Sequence, residues 1–579
     1  MEEIKRPWLK KYDPGVPHHI DYPEVPLYYF LEENARKYPD HLAIIFKGGK
    51  LTFRQLNELT DRMAAGLAKM GVKKGDRVAI LMANCPQFII SYFGILKAGG
   101  IVVACNPLYA PPELEHQLND CGAEVIIAMS RFYPVVKKVQ PNTRLRQVVV
   151  TNIKEYFPPV LKLLFTLAME KKSGDRVTLA PGDQWFQDVL KANSPADRPK
   201  VQINPKEDVA IFQYTGGTTG VPKGAMATHF NLVANALQIK SWLPGVRDAE
   251  LTVLTALPLF HVYGMVAAMC FALASASTQI IIPNPRDIDD ILETINKYKP
   301  SIFPGVPTMY NAINNHPKVL EGKVDIRSIR ACISGSAPLL RETQTRFEQL
   351  TGGNLREGYG LSEAPTASHC NPMYGENREG SIGLPLPDVD AAIVDLDTGT
   401  RFLGPGEEGE LILRGPQVFK GYWQMPTETA NVLRQLPDGN VWLFTGDIAK
   451  MDEDGYFYIV DRKKDMIICG GYNVYPREVE EVLKQHPKIL EVAVAGIPDP
   501  YRGETVKAWV VLKPGETATE EEIIEWSKER LAKYKYPRYV EFRSELPKTF
   551  VGKTLRRMLV AEERAKMAGQ QAPPPPPEE

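Results

Sequence analysis

Tyr214-Thr215-Gly216-Gly217-Thr218-Thr219-Gly220-Val221-Pro222-Lys223-Gly224 is the stretch on which the reading of this chain turns. The apolar run Val209-Ala-Ile-Phe-Gln-Tyr-Thr215 that leads into it has strand character, and the glycines at 216, 217, 220 and 224 break regular structure, so a strand ends in a glycine turn. Glycine lets backbone N–H groups approach an anion. Thr215, Thr218 and Thr219 add hydroxyl donors, and Lys223 adds a full positive charge. Together these are the parts of a polyphosphate cradle. It is not the P-loop of ordinary NTPases, because Val221-Pro222 stands where that motif requires Gly-Lys.

Outward on the N-terminal side, helices are expected over 51–67, 88–98 and 112–121, and strands over 76–82, 101–104 and 123–128. This is the rhythm of a doubly wound sheet. Residues 143–200 read as an irregular excursion. On the C-terminal side a helix over 230–242 and a strand over 251–257 lead to Pro258-Leu-Phe-His261-Val-Tyr-Gly264. A strand from Ile329 ends in Gly335-Ser336-Ala337, small residues against whose backbone a flat base can lie, ahead of a helix over 339–350. Gly358-Tyr359-Gly360-Leu361-Ser362-Glu363 sets an aromatic plane, a hydroxyl and a carboxylate side by side, and each meets a need of bound ATP.

These motifs closely resemble those of the adenylate-forming superfamily, which includes acyl-CoA synthetases, luciferases and peptide-synthetase adenylation domains. They occur in the family's order from Tyr214 to Lys553, and Asn106-Pro-Leu-Tyr109 with Glu113-Leu-Glu-His-Gln-Leu-Asn-Asp120 resembles the long-chain fatty-acyl-CoA synthetase branch. The resemblance implies ATP and AMP binding by Thr215, Gly216, Gly217, Thr218, Thr219, Gly220 and Lys223, and by Gly335, Ser336 and Ala337 against adenine. Tyr359, with Gly360, then stacks on the base, and Ser362, a threonine in most of the family, contacts the α-phosphate. The resemblance also implies that Asp447 and Arg462 hold the ribose. By the same resemblance Glu363 and Thr218 are expected to hold Mg²⁺, Lys464 to be a hinge, Gly470 and Gly471 to line the coenzyme A tunnel, and Lys553 to be the catalytic cation. His261 faces the acyl side in a steric or orienting role, the alternative being a packed or capped histidine.

The implied reaction joins a fatty acid to coenzyme A through an acyl-adenylate, at the expense of ATP. Medium-chain or aryl acids, or transfer of the acyl group to a carrier protein, remain alternatives. The family-specific insertion that acyl-AMP ligases carry after the hinge is not apparent at Met466 to Val474.

The 579 residues carry a formal net charge of -1 with both signs interspersed, which argues against a nucleic-acid partner. Seven cysteines without a C-x-x-C pair and the absence of a signal peptide fit reduced thiols in the cytoplasm. Met265 to Ile282 reads as a buried helix followed by a strand rather than a membrane span. Tyr156 to Met169, nearly all apolar and followed by Lys171 and Lys172, is too short to span; it reads equally as an interfacial helix on lipid at the inner face of the membrane or as a buried one. Oligomeric state is left open, a homodimer included.

The expected fold is α/β: a large N-terminal domain of doubly wound sheets plus a β-rich region over 1–463, a small mobile α+β domain over 464–568, and a Pro-rich disordered tail over 569–579. In the small domain a helix is expected over 476–485, strands over 491–497 and 506–513, and a helix over 520–534 opened by a Thr519/Glu522 capping box.

Overall fold

The computed structural model describes residues 5–215, 222–469, 472–499, 502–548 and 554–567. The chain forms two compact units, Met1–Asp390 with Leu413–Leu443, and Ala391–Ile412 with Phe444–Glu579.

The first unit is built on β-sheets flanked by helices. Its largest sheet runs Gly421–Tyr422, Lys223–Thr228, Val209–Thr215, Ile101–Ala104, Arg77–Leu81, Val125–Met129, Gln147–Thr151 and Gln184–Trp185 in spatial order. From Val209–Thr215 to Gln184–Trp185 every neighbour is parallel, whereas Lys223–Thr228 and Gly421–Tyr422 close one edge antiparallel. Helices Pro86–Lys97 and Pro111–Cys121 are the crossovers the β-α rhythm implied. Residues 143–200 are less irregular than expected, because the β-branched run Gln147–Thr151 joins this sheet. A second sheet pairs Thr252–Thr255, Thr278–Ile281, Leu42–Phe46 and Gly49–Thr52, and a third pairs Ala331–Ser334, Asn354–Leu361, Ala364–Cys370 and Leu384–Pro385. Ile302 bridges these two through Val253 and Ala331.

Apolar residues on every side of Pro86–Lys97 follow from its complete burial. Helix Phe53–Lys69, capped by the Thr52/Gln55 capping box, packs so closely on it that a Cβ on Gly94 would lie 2.5 Å from the Met63 side chain. The buried Lys97 ammonium donates to Asn57 Oδ1 and Asp61 Oδ1, both at 2.7 Å; burial, opposed by Asp61, brings its pKa down to about 8. The segment read as a buried helix and strand is that: the helical turns from Val262 to Ala274 lie in the core, and Thr278–Ile281 enters the second sheet. All seven cysteines are free and buried.

In the second unit, the strand that ends at Met451 pairs antiparallel with Phe457–Arg462. A further sheet orders Tyr472–Val474, Ile467–Cys469, Gly503–Leu512 and Ile489–Asp499, with Tyr539–Phe542 parallel to Gly503–Leu512. Helices Pro476–Lys484, Glu520–Lys528 and Arg556–Met567 complete it. The last-but-one helix is shorter than expected and its capping box is only half formed. Thr519 accepts from the Glu522 N–H at 3.2 Å, but the Glu522 carboxylate is drawn to Lys488 at 2.7 Å.

Candidate active site

The strand that carries the glycine-rich loop ends at Thr215, paired in register with Lys223 where the chain returns. Gly216, Gly217, Thr218, Thr219 and Gly220 lie outside the described residues. Lys223 is held from two directions: its ammonium pairs with Glu428 and sits 5.3 Å from the centre of the Tyr422 ring. Tyr422 belongs to the edge strand against Lys223–Thr228, with Tyr422 opposite Ala225, and its N–H donates to Thr429 Oγ1 at 2.9 Å.

That tyrosine joins two motifs. Its hydroxyl donates to Glu363 Oε1 at 2.7 Å, and the Phe419 N–H donates to the Glu363 carbonyl at 2.9 Å. Burial, then the Glu363 charge, push the Tyr422 pKa well up, so the phenol remains a donor. Glu363 Oε2 takes no partner among the described residues. A half-buried carboxylate with one oxygen fixed and one free suits a hard divalent cation that also binds substrate phosphates, and this fits Mg²⁺. Among the described residues no group of three or more His, Cys, Asp or Glu side chains converges to hold a metal by protein ligands alone.

Tyr359, Gly360, Ser362 and Glu363 sit at the end of Asn354–Leu361 and in the turn to Ala364–Cys370. Gly360 is required here, since a Cβ would lie 1.3 Å from the Thr366 carbonyl oxygen. Asn235 fixes the returning strand: its Oδ1 accepts from the Thr366 and Ala367 N–H groups at 2.6 and 3.0 Å, and its amide donates to the Ala367 carbonyl at 2.7 Å. The Tyr359 ring meets His369 edge-on, centroids 6.0 Å apart, and burial holds the His369 pKa down at about 3.

The small-residue segment is pinned from below. Tyr263 donates to the carbonyls of Ile333 and Gly305 at 2.7 and 3.2 Å, and Tyr310 donates to those of Phe303 and Ile333 at 2.8 and 3.0 Å. A Cβ on Gly335 would lie 3.0 Å from the Tyr263 ring, and Ser336 adopts φ +70. Gly335 is buried, whereas Ser336 is exposed and Ala337 half-buried. His261 caps the turn that carries Tyr263, its Nδ1 accepting from the Tyr263 N–H at 3.2 Å. Gln213, one strand position from the loop, donates to the Phe260 carbonyl at 3.3 Å.

In the second unit Asp447 and Arg462 stand opposite each other on paired strands, joined by an ion pair of 3.2 Å. Asp447 is buried and Arg462 half-exposed, so the carboxylate is held in place by the backbone register as well as by the guanidinium. Lys464 follows in an exposed turn closed by Asp465 N–H donating to the Arg462 carbonyl at 2.9 Å. Gly470, Gly471 and Lys553 lie outside the described residues.

Within the first unit, then, the structure brings Lys223 and Glu363 together through Tyr422, and ties the His261 turn to Gly335 through Tyr263. Tyr422, Glu428 and Asn235 were not singled out from the sequence.

Fold and site define an adenylate-forming enzyme. Residues 31–423 match the AMP-binding enzyme family and residues 478–553 match the AMP-binding enzyme C-terminal domain, so the chain belongs to the AMP-binding enzyme family. Among curated relatives, a long-chain-fatty-acid–CoA ligase of Bacillus subtilis is 47% identical over 97% of this chain and 99% of its own length. One of Escherichia coli O157:H7 is 40% identical over 97% of this chain and 99% of its own. Among solved structures, ATP-bound MatB from Rhodopseudomonas palustris superposes with a TM-score of 0.80 at 30% identity, over 94% of this chain and 99% of that one.

Proposed function

We propose that this chain is an ATP-dependent ligase that joins a long-chain fatty acid to coenzyme A. The observation that carries this reading is the 47% identity, across 97% of the chain, to a relative named for that reaction. The conjunction of Lys223, Tyr422 and Glu363 supports it.

A carboxylate is a poor acyl donor because its leaving group would be oxide. In the first half-reaction a carboxylate oxygen of the acid attacks the α-phosphorus of ATP, the new P–O bond forms, and the bond to the β-phosphate oxygen breaks to release pyrophosphate. Thr215, Thr218, Thr219 and the glycine backbone cradle the phosphates, Lys223 and Lys553 offset the growing negative charge, and Ser362 orients the α-phosphate. Gly335, Ser336, Ala337 and Tyr359 take the base, and Asp447 with Arg462 takes the ribose. Glu363 and Thr218 would hold Mg²⁺, which would supply charge neutralisation on the phosphates.

In the second half-reaction the coenzyme A thiol, losing its proton, attacks the acyl carbonyl, the thioester C–S bond forms, and AMP leaves with the anhydride oxygen. The domain beyond Lys464 turns about that residue between the two steps, withdrawing Lys553 and presenting Gly470 and Gly471 to the pantetheine arm. In the sequence only two residues separate strands Ile467–Cys469 and Tyr472–Val474, without the insertion that acyl-AMP ligases carry after the hinge, which favours coenzyme A over the carrier protein that those ligases serve. Buried, reduced thiols fit a reducing compartment, the cytoplasm.

AMP release with Mg-ATP and acids from acetate to oleate and benzoate, with and without coenzyme A, tests this. Oleate-dependent AMP with matching thioester is expected; AMP or adenylate that accumulates without thioester would overturn the choice of acceptor.

A further inference from the structure

Residues Pro159–Leu164 form an α-helix that continues as one π-helical stretch, Phe165–Met169. Its amphipathicity is inverted. Lys162, Thr166 and Glu170, spaced by four and therefore on one stripe, face the body of the first unit: Lys162 pairs with Glu155 at 2.7 Å, Thr166 accepts from Lys154 at 3.0 Å, and the buried Glu170 takes Lys154 at 2.5 Å and the Asn152 amide at 2.9 Å. Phe165 packs edge-on against Phe157. The aliphatic side chains point the other way: Val160 is 73%, Leu163 59%, Leu164 57% and Leu167 76% exposed, with Leu161 and Met169 beside them. A core helix would bury these side chains, and single exposed leucines are common, but six exposed aliphatic side chains within eleven helical residues are not.

The charges around the ridge have one sign toward solvent. Lys171 and Lys172 are exposed and form no ion pair among the described residues, whereas the nearby acids Glu170 and Asp175 are buried, Asp175 against Arg131 at 2.7 Å. The hairpin turn at Gly48-Gly49 lies against Tyr156 and Pro158, which sets the exposed Lys50 beside the start of the helix. Protein-binding patches are enriched in Trp, Tyr and Arg and poor in lysine; this ridge is Leu and Val, rimmed by lysine. At about 16 Å it is far too short to span a bilayer, and it suits a helix lying flat at the acyl–headgroup boundary.

We propose that the helix 159–169 is a docking element for an anionic lipid surface, its leucines entering the acyl boundary and Lys171 and Lys172 meeting the headgroups. The ridge lies on the surface of the first unit and the argument is independent of the ligase reaction.

The test is co-sedimentation of the full chain with extruded vesicles of phosphatidylcholine alone or with about 30 mol % phosphatidylglycerol. L163S/L164S/L167S, whose native side chains are exposed, is expected to keep the wild-type melting temperature and to lower partitioning at least about tenfold on both vesicles. K171Q/K172Q is expected to lower it about 25-fold on the anionic vesicles at low salt and to leave phosphatidylcholine binding unaffected. Lys553→Ala, which removes the catalytic cation, is expected to bind like the wild type, separating this proposal from the ligase reading. Equal partitioning of the leucine triple variant and the wild type overturns the proposal, as does a wild type that ignores vesicles. A wild-type dimer that the same variant converts to monomer, with no vesicle binding by either, also overturns it and makes the ridge an interface between copies.

Discussion

Replacing Tyr422 by phenylalanine isolates the contact on which the candidate site is hung. The ring stays under Lys223 and against Phe419, whose centroid is 5.0 Å away, so only the hydroxyl that donates to Glu363 at 2.7 Å is removed. A hydrogen bond to a charged acceptor contributes about 1.5–3 kcal/mol, and because Glu363 is half-buried, water recovers part of that. The net loss is about 1–2 kcal/mol, a factor of about 5–30. Because the contact fixes one oxygen of the carboxylate assigned to Mg²⁺, the loss should appear as a higher Mg²⁺ requirement for pyrophosphate release, of the size usual for groups that orient metal ligands. The assay is pyrophosphate release at saturating ATP and oleate across a Mg²⁺ titration, with thermal melting as the control for fold. Tyr422→Phe with a Mg²⁺ dependence and rate within about twofold of wild type would refute the reasoning.

Lys553→Ala is expected to lower adenylate formation by about 10²–10³, while thioester formation from supplied acyl-adenylate continues at near the wild-type rate; quenched-flow measurement of the two half-reactions separates them. Gly360→Ala places a Cβ 1.3 Å from the Thr366 oxygen, a backbone atom that cannot step aside, so a loss of about 3 kcal/mol or more in denaturant unfolding is expected, with ATP turnover falling alongside. His229 accepts from the Leu27 N–H at 3.2 Å, and burial brings its pKa down from 6.5 to about 4. Between those values the unfolded chain takes up a proton that the folded one refuses, so the stability present above pH 6.5 is lost as pH falls. The loss is about 2 kcal/mol from pH 7 to pH 5, and His229→Gln should flatten the dependence of unfolding free energy on pH by that amount; an unchanged slope would contradict the assignment.

What could be read from the sequence was whatever depends on neighbours along the chain. Parallel strands such as Ile101–Ala104 and the Thr52-capped helix follow from short-range periodicity and capping, and the glycine-rich, Gly358–Glu363 and Gly335–Ala337 segments announce themselves by residue type. What escaped depends on partners distant in sequence. Tyr422 reaches Glu363 across 59 positions and Asn235 reaches Thr366 across 131, and neither pairing leaves a local mark. Glu522 has the right spacing for a capping box, yet the Lys488 ammonium outcompetes a backbone N–H for its carboxylate. The apolar run after Tyr156 could be core or surface on composition alone; only the partners of Lys162, Thr166 and Glu170 reveal which stripe faces in.

The seven buried thiols have a practical side. Burial holds the thiol pKa values of Cys85, Cys121 and Cys370 up at about 12, far from the thiolate form that maleimides and peroxide attack. Those three thiols should therefore be slow to react with either reagent while the chain is folded. A cysteine introduced on the exposed Lys464 turn or at Leu167 would be far more accessible to a fluorophore or spin label than the buried native thiols, giving a direct optical or magnetic test of the proposed hinge rotation or lipid contact.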